Sequence, residues 1–321
     1  MTEPNSDKSP GAQWERSVLE KLATAAVDEQ RRARRWGIFF KALGFIYLFA
    51  LLFVGMGWIG KKDAALSSKH TAVVDLSGVI APDSEASAEK ITSGLKEAFK
   101  DKRTQGVVLR INSPGGSPVQ AGYINDEIRR LRAKYPAIPL YAVVEDICAS
   151  GGYYVAVAAD KIFVDKASIV GSIGVLMDGF GFVGTLDKLG VERRLITAGR
   201  EKGFLDPFSP LISEQKEYAE KMLAEIHGQF IEVVKQGRGK RLKDTADLFN
   251  GLVWTGQRSI ELGLADELGN VDYVAREIIK ADQVVDFTSH ETVLERFARR
   301  LGAGAMQAFL HFSGGSVSAV R

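Results

Sequence analysis

The hydrophobic pattern divides the chain into three regimes. Residues 1–30 are polar, with one weakly amphipathic patch from Trp14 to Ala26, which predicts a flexible tail. Ala42–Gly60 is then an uncharged apolar run of about 19 residues, long enough to cross a hydrocarbon core of roughly 30 Å. It has no polar face, so a buried helix of a soluble domain is not its pattern. From residue 71 on, short apolar runs alternate with stretches of helical spacing. Thr71–Leu76, Gly106–Ile111, Leu140–Glu145, Lys161–Asp165, Ile169–Val175 and Arg194–Thr197 read as strands. Helices are predicted after Pro82 (Ala88, Ile91, Leu95, Ala98, Phe99), around Ile124, Ile128 and Leu131, and over Ser150–Ala159 and Thr185–Leu189. A longer one begins at Ser213, with Tyr218, Met222, Ile226 and Phe230 on one face, and a short one falls within Val253–Gly269. Strands alternating with helices predict an α/β domain with a largely parallel sheet.

These patterns give five segments: a tail at 1–35, a membrane anchor at 36–60, a linker at 61–70, a catalytic-type domain at 71–285 and an amphipathic extension at 286–321. The extension places Arg296, Arg299 and Arg300 among Val293, Leu294, Phe297 and Leu301. That pattern suits packing on a protein surface, or contact with lipid headgroups.

Charge orients the anchor. Arg31, Arg32, Arg34, Arg35 and Lys41 precede the apolar run, whereas Lys61 and Lys62 are followed at once by Asp63. The excess of basic residues on the first side places the N-terminus in the cytoplasm and the domain across a bacterial inner membrane, on its periplasmic side. A cleaved signal peptide fits less well, because roughly 35 residues precede a long apolar run. The chain of 321 residues has a net charge of only +2, so nothing argues for nucleic acid as a partner. Neither a metal nor an organic cofactor is expected.

Two segments carry chemistry. Asn112-Ser113-Pro114-Gly115-Gly116 lies between a strand and a helix, as does Ser150-Gly151-Gly152. Paired glycines let backbone N–H groups approach a ligand, and a serine on a strand-to-helix turn can present its hydroxyl at the same point. Read singly, each is as well explained by a tight turn or a helix cap. Read together, they mark one crevice at the carboxyl ends of successive strands. The four histidines, His70, His227, His290 and His311, lie in no catalytic pattern, so a lysine is the natural base for Ser150. Lys161, Lys166, Lys188 and Lys202 all remain open on the residues alone. The single cysteine, Cys148, is a rival nucleophile in an apolar setting with no histidine partner in sequence.

The NSPGG turn, the stretch ICASGGYYVAVAADKIFVD, the following IVGSIGV and the segment AGREKGFLDPF together resemble the signal peptide peptidase A family over about Ala72–Asn270. The resemblance implies a fold similar to that of Clp protease and the crotonases. It implies a membrane-anchored serine peptidase with Ser150 as nucleophile and Lys202 as general base. Gly115, Gly116 and Gly151 would form the oxyanion site, and Ser172 would support the lysine amine. Some relatives carry two such domains in tandem, and this chain has one. In single-domain relatives the dyad is completed between subunits, so a homo-oligomer is expected in which Ser150 meets the Lys202 of a neighbour. The substrates implied are remnant signal peptides or other membrane-derived peptides, and the membrane lipid is a partner through the anchor. Two other classes compete: a crotonase-like acyl-CoA enzyme, and a non-catalytic membrane scaffold of the same fold.

Overall fold

A computed structural model describes residues 10–59, 68–243 and 247–289. The chain divides into two units, Met1–Ala65 and Leu66–Arg321. Residues 1–9 of the expected tail, 60–67 at the end of the anchor and in the linker, and 290–321 of the extension, with His290 and His311, lie outside the described residues.

The described residues of the first unit form one helix, α1 (Pro10–Ile59), of 50 residues, about 75 Å long at 1.5 Å per residue. Its stretch Val18–Leu52 includes a span long and apolar enough to cross a membrane. Within it Phe39, Phe40, Phe45, Ile46 and Phe49 all stand exposed on the unit. The helix also runs through much of the segment expected to be a flexible tail. The reason is local: between Gly11 and Gly37 there is neither glycine nor proline, and Ala, Leu, Glu, Gln, Lys and Arg predominate.

The second unit is built on one sheet. Its strands are β1 (His70–Ser77), β2 (Thr104–Ser113), β3 (Leu140–Ala149), β4 (Lys161–Val164), β5 (Ile169–Gly171), β6 (Val253–Thr255), β7 (Glu267–Leu268) and β8 (Val284–Asp286). The main order is β6-β5-β3-β2-β1-β8, with β4 lying between β3 and β7. All pairings are parallel except β5 with β6. The central strands are apolar on both faces because both faces are covered. One face, including Val74, Leu76, Leu109, Ile111 and Val144, belongs to the main core, with Ile91, Leu95 and Phe99 of α2 (Ala88–Lys100) and Ile124 and Ile128 of α3 (Pro118–Lys134). The other, with Val73, Val108, Val143 and Phe163, packs on Val274 of the helical segment Val271–Ile279. The fold is therefore the expected α/β one, mostly parallel with flanking helices.

β3 has two partners along one edge. Tyr141–Val143 pair with β4, whereas Ile147–Ala149 pair with β5. Against β2 the register moves from Ile111↔Val144 to Ser113↔Cys148. The extra residues on β3 redirect its end and carry it into α4 (Gly151–Ala156).

Some local expectations are corrected. α2 starts at Ala88 rather than at Pro82, after a turn closed by the Ser84 side chain on Ala81. Arg194–Thr197 is no strand: Leu195 and Ile196 are exposed and have no ladder partner, and the only helix in the surrounding segment is α5 (Val183–Lys188). Val253–Gly269 divides into β6, α7 (Gly256–Glu261) and β7. The long C-terminal helix, α6 (Ser213–Arg238), is as expected.

Candidate active site

Ser150 sits at the junction of β3 and α4 with φ 50° and ψ −121°, a region that residues with a side chain rarely occupy. Its backbone is held on both sides: its N–H donates to the Gly171 carbonyl at 2.9 Å, and its carbonyl accepts from Tyr154 N–H at 3.0 Å. The hydroxyl makes no capping bond to the helix it precedes. The helix-cap explanation of this serine therefore fails, and its Oγ is free to face the adjoining cavity. That cavity, of about 530 Å³, is lined by Ser150, Gly151, Gly116 and Ser172, with Tyr154, Leu176, Ile226 and Phe230 as apolar walls.

The glycine loop reaches the same point. Gly115 and Gly116 have φ of 99° and 147°. A Cβ on Gly115 would stand 2.7 Å from both Ser150 Cβ and Gly151 N, and one on Gly116 would stand 2.2 Å from the Ile80 carbonyl oxygen. Only glycine fits at either position. The amides differ in availability. Gly115 N–H donates to Ser113 Oγ at 3.1 Å. Gly116 forms a parallel bridge with Ile80 in which the Gly115 carbonyl and the Ser117 N–H are the groups used, each at 2.8 Å. In that pattern the N–H of Gly116 itself points away from Ile80. Its nitrogen would lie 3.3 Å from a Cβ built on Gly151. Gly151 opens α4, where an amide has no intrahelical partner. Gly116 and Gly151 therefore line the same cavity as Ser150, while Gly115 supplies the close approach.

Ser172 follows β5 at φ 53°, donates its N–H to the Leu252 carbonyl at 2.7 Å, and lines the same cavity. His227 lies against this wall, its Nε2 3.2 Å from the Ile173 carbonyl. With that nitrogen donating to a carbonyl, it is not available as a base. His70 is buried between the Ser68 carbonyl and the Thr104 hydroxyl, at the start of β1. Cys148 is fully buried, and burial pushes its thiol well above the ordinary range. It is an inert core residue, not a nucleophile.

Among the described residues no lysine of the same chain lines the Ser150 cavity. Lys161 is paired with Glu267 at 2.6 Å, Lys166 lines a separate groove, and Lys188 is exposed on α5. Lys202 stands exposed in a turn closed by its own N–H on the Gly199 carbonyl at 3.1 Å. It belongs to a segment, 175–212, that leaves many large apolar side chains in solvent: Leu176, Phe180, Leu189 and Leu211 are two-thirds exposed or more, and Ile196 is 94% exposed. So the structure brings together Ser150, Gly115, Gly116, Gly151 and Ser172, and leaves Lys202 apart. The walls from Tyr154, Ile226, Phe230 and Asn250–Gly251 are additions to the residues expected. Among them only Asn-Gly is a turn signal in sequence. Among the described residues, no cluster of three or more His, Cys, Asp or Glu is placed to hold a metal.

The model of peptidase family S49 matches residues 132–285, a stretch that includes Ser150, Ser172 and Lys202 but not the Gly115–Gly116 loop. The "Probable protease SohB" of Haemophilus influenzae is 30% identical over 259 residues, which are 79% of this chain and 71% of that protein. The chain belongs to peptidase family S49. The "Putative signal peptide peptidase SppA" of Enterococcus faecium is 29% identical over 234 residues, 70% of this chain and 67% of that protein. Higher identity, 49% over 177 residues, is shared with a Brucella melitensis protein named "Na(+)/H(+) antiporter NhaA". That match takes in 55% of this S49 chain, which spans about a quarter (24%) of the length of that relative.

Proposed function

We propose that this S49 chain is a membrane-anchored serine endopeptidase. The observation that carries the reading is the strained Ser150, whose uncommitted hydroxyl faces a cavity beside the Gly116 and Gly151 amides. Ser150 Oγ attacks the substrate carbonyl carbon and passes its proton to the neutral amine of Lys202. The carbonyl oxygen becomes an oxyanion, which the Gly116 and Gly151 amides stabilise. Collapse breaks the C–N bond, the leaving amine takes the proton back from Lys202, and an ester to Ser150 remains. Water, deprotonated by the same lysine, hydrolyses that ester and regenerates the hydroxyl. Ser172, on the same wall, hydrogen-bonds the lysine amine.

Since Lys202 is exposed on an apolar segment of its own chain, the reading assigns it to the site of a neighbouring copy. Association would cover Leu176, Phe180 and Ile196 and remove the lysine from water. The substrates are extended apolar peptides left in or near the membrane, remnant signal peptides among them. This agrees with the apolar walls of the cavity and with a candidate span in the same chain. The basic flank before the anchor supports an N-terminus in the cytoplasm and a peptidase domain on the periplasmic side of the inner membrane.

The test is peptide hydrolysis by the full chain in detergent, beside Ser150→Ala and Lys202→Ala with their assembly checked. Cleavage that disappears in both variants is expected. Cleavage that survives Lys202→Ala removes the lysine from the mechanism. No cleavage by the parent favours a scaffold or an acyl-CoA enzyme.

A further inference from the structure

We infer that Ser113 is the positioning residue of the oxyanion site; the inference rests on the peptidase reading above. Ser113 ends β2 and is fully buried. Its Oγ donates to the Gly78 carbonyl at 2.7 Å and accepts from the Gly115 N–H at 3.1 Å. One hydroxyl thus ties the turn after β1 to the glycine loop after β2. Ser113 also supports the other half of the site. A Cβ on Gly152 would stand 3.0 Å from the Ser113 carbonyl oxygen and 3.4 Å from its Cβ, so the start of α4 rests directly on this residue.

The two amides proposed to hold the oxyanion come from these two pieces of backbone, one from the loop and one from the helix start. The loop cannot fix its own course. Its glycines, at φ 99° and 147°, carry little intrinsic preference, so the bonds flanking Gly116 decide where its N–H points. The Ile80 bridge holds the peptide groups on both sides of Gly116, and Ser113 Oγ holds the peptide unit that leads into Gly115. Without the hydroxyl, the buried Gly115 amide loses its partner in a dry interior, and the Gly78 carbonyl, at the exposed turn after β1, is released from the loop. A buried polar group left in that state seeks another; the peptide plane that leads into Gly115 turns with it, and the next plane, which carries the Gly116 N–H, is then held by the Ile80 contact alone. Ser113 does not line the Ser150 cavity, so it does not touch substrate. Its effect is on a group that acts when negative charge develops, which is a property of the transition state.

The experiment compares the full chain in detergent with Ser113→Ala and Ser113→Thr. Three readouts are taken: kcat against KM, binding of a peptide aldehyde whose hemiacetal oxygen takes the oxyanion position, and amide hydrogen exchange. Ser113→Ala is expected to lower kcat about 10–100-fold with KM changed less than about threefold. It should weaken the aldehyde by the same factor as kcat. Ser113→Thr, which keeps the hydroxyl, should recover most of both. Exchange at 115–117 should speed at least about tenfold in Ser113→Ala while the β1–β2 ladder stays protected. A rise in KM with kcat intact, full activity in Ser113→Ala, or unchanged exchange at 115–117 overturns the inference. Should Ser113→Ala not fold, Ser113→Cys, with a weaker donor and acceptor, takes its place and is read in the same way. A parent chain with no Ser150-dependent hydrolysis refutes the peptidase reading instead, and the exchange readout still decides whether Ser113 holds the loop.

Discussion

Ser150 and Gly116 show how far single residues decide this site. A serine held at φ 50° costs on the order of 1–3 kcal/mol, and the chain keeps it on the wall of a cavity that Gly116 and Gly151 also line. Gly116→Ala should therefore be severe. The new methyl carbon would need space 2.2 Å from the Ile80 carbonyl, so the loop must move. Denaturant unfolding should show a loss of about 1–3 kcal/mol, and hydrolysis should fall by more than the folded fraction does. Wild-type stability in that variant would mean that the loop is softer than its contacts indicate. Cys148 gives a second prediction at this scale. Its thiol is raised by burial, so the stability gained by keeping it neutral is complete below the ordinary thiol pKa of about 8.5. It is lost as pH rises above that value, because the unfolded chain ionises there first. A thiol reagent at pH 8 should leave native Cys148 unmodified and react once denaturant is added; prompt reaction with the native chain would contradict its burial. Much of this scale was legible in the sequence. Glycine pairs and a serine at a strand end are local chemistry. Ser113 and the Tyr154–Phe230 wall were not legible as site residues, because their roles come from contacts between distant segments, such as the ring contact of Tyr154 and Phe230 at 5.2 Å.

Elements hold these residues in place. α6 contributes Ile226 and Phe230 to the cavity, and its C-terminal end is fastened by a buried ion pair. Arg238 Nη1 and Nη2 donate to the two oxygens of Asp266 at 2.8 and 2.9 Å, and its Nε donates to the Gly263 carbonyl. Burial alone would raise the Asp266 carboxyl, but the hydrogen bond and charge of Arg238, helped by the Ile162 amide and Arg241, hold it below its ordinary value. A carboxylate lowered on folding stabilises the chain above its unfolded pKa, and that stability is lost as pH falls through the folded one. Asp266→Asn leaves Arg238 buried and unpaired, at a cost of about 3–5 kcal/mol. Its acid-unfolding curve should also be flatter than that of the parent, as followed by circular dichroism against pH. A parent-like stability and pH curve would show that the pair is dispensable. The apolar runs of β1, β2 and β3 were plain in the sequence, since strands buried on both faces read as continuous hydrophobic stretches. Arg194–Thr197 has the same composition and makes no ladder, and β6, β7 and β8 have three residues or fewer. Pattern alone cannot separate runs of that length from loops.

At the scale of the whole molecule, the 175–212 segment carries Lys202 and a set of exposed apolar side chains on one stretch of chain. The proposal has a second copy of the chain bring that lysine to Ser150, and nothing in a linear pattern reports which copy a lysine serves. Ile196, 94% exposed, tests the surface: Ile196→Asp should shift the protein to smaller species in sedimentation and lower hydrolysis with it, while folding is kept. Unchanged sedimentation and activity would remove this segment from any assembly. Mixing inactive Ser150→Ala and Lys202→Ala chains, co-assembled from the unfolded or dissociated state, should restore part of the parent rate, because some sites then pair an intact serine with an intact lysine. The most direct measurement is the site of acylation. The full chain in detergent is treated with a serine-directed phosphonate, digested, and the adduct located by mass spectrometry. The account predicts a single adduct on Ser150, absent from Ser150→Ala and strongly slowed in Lys202→Ala. Labelling elsewhere, or hydrolysis that persists while Ser150 is fully blocked, would contradict it.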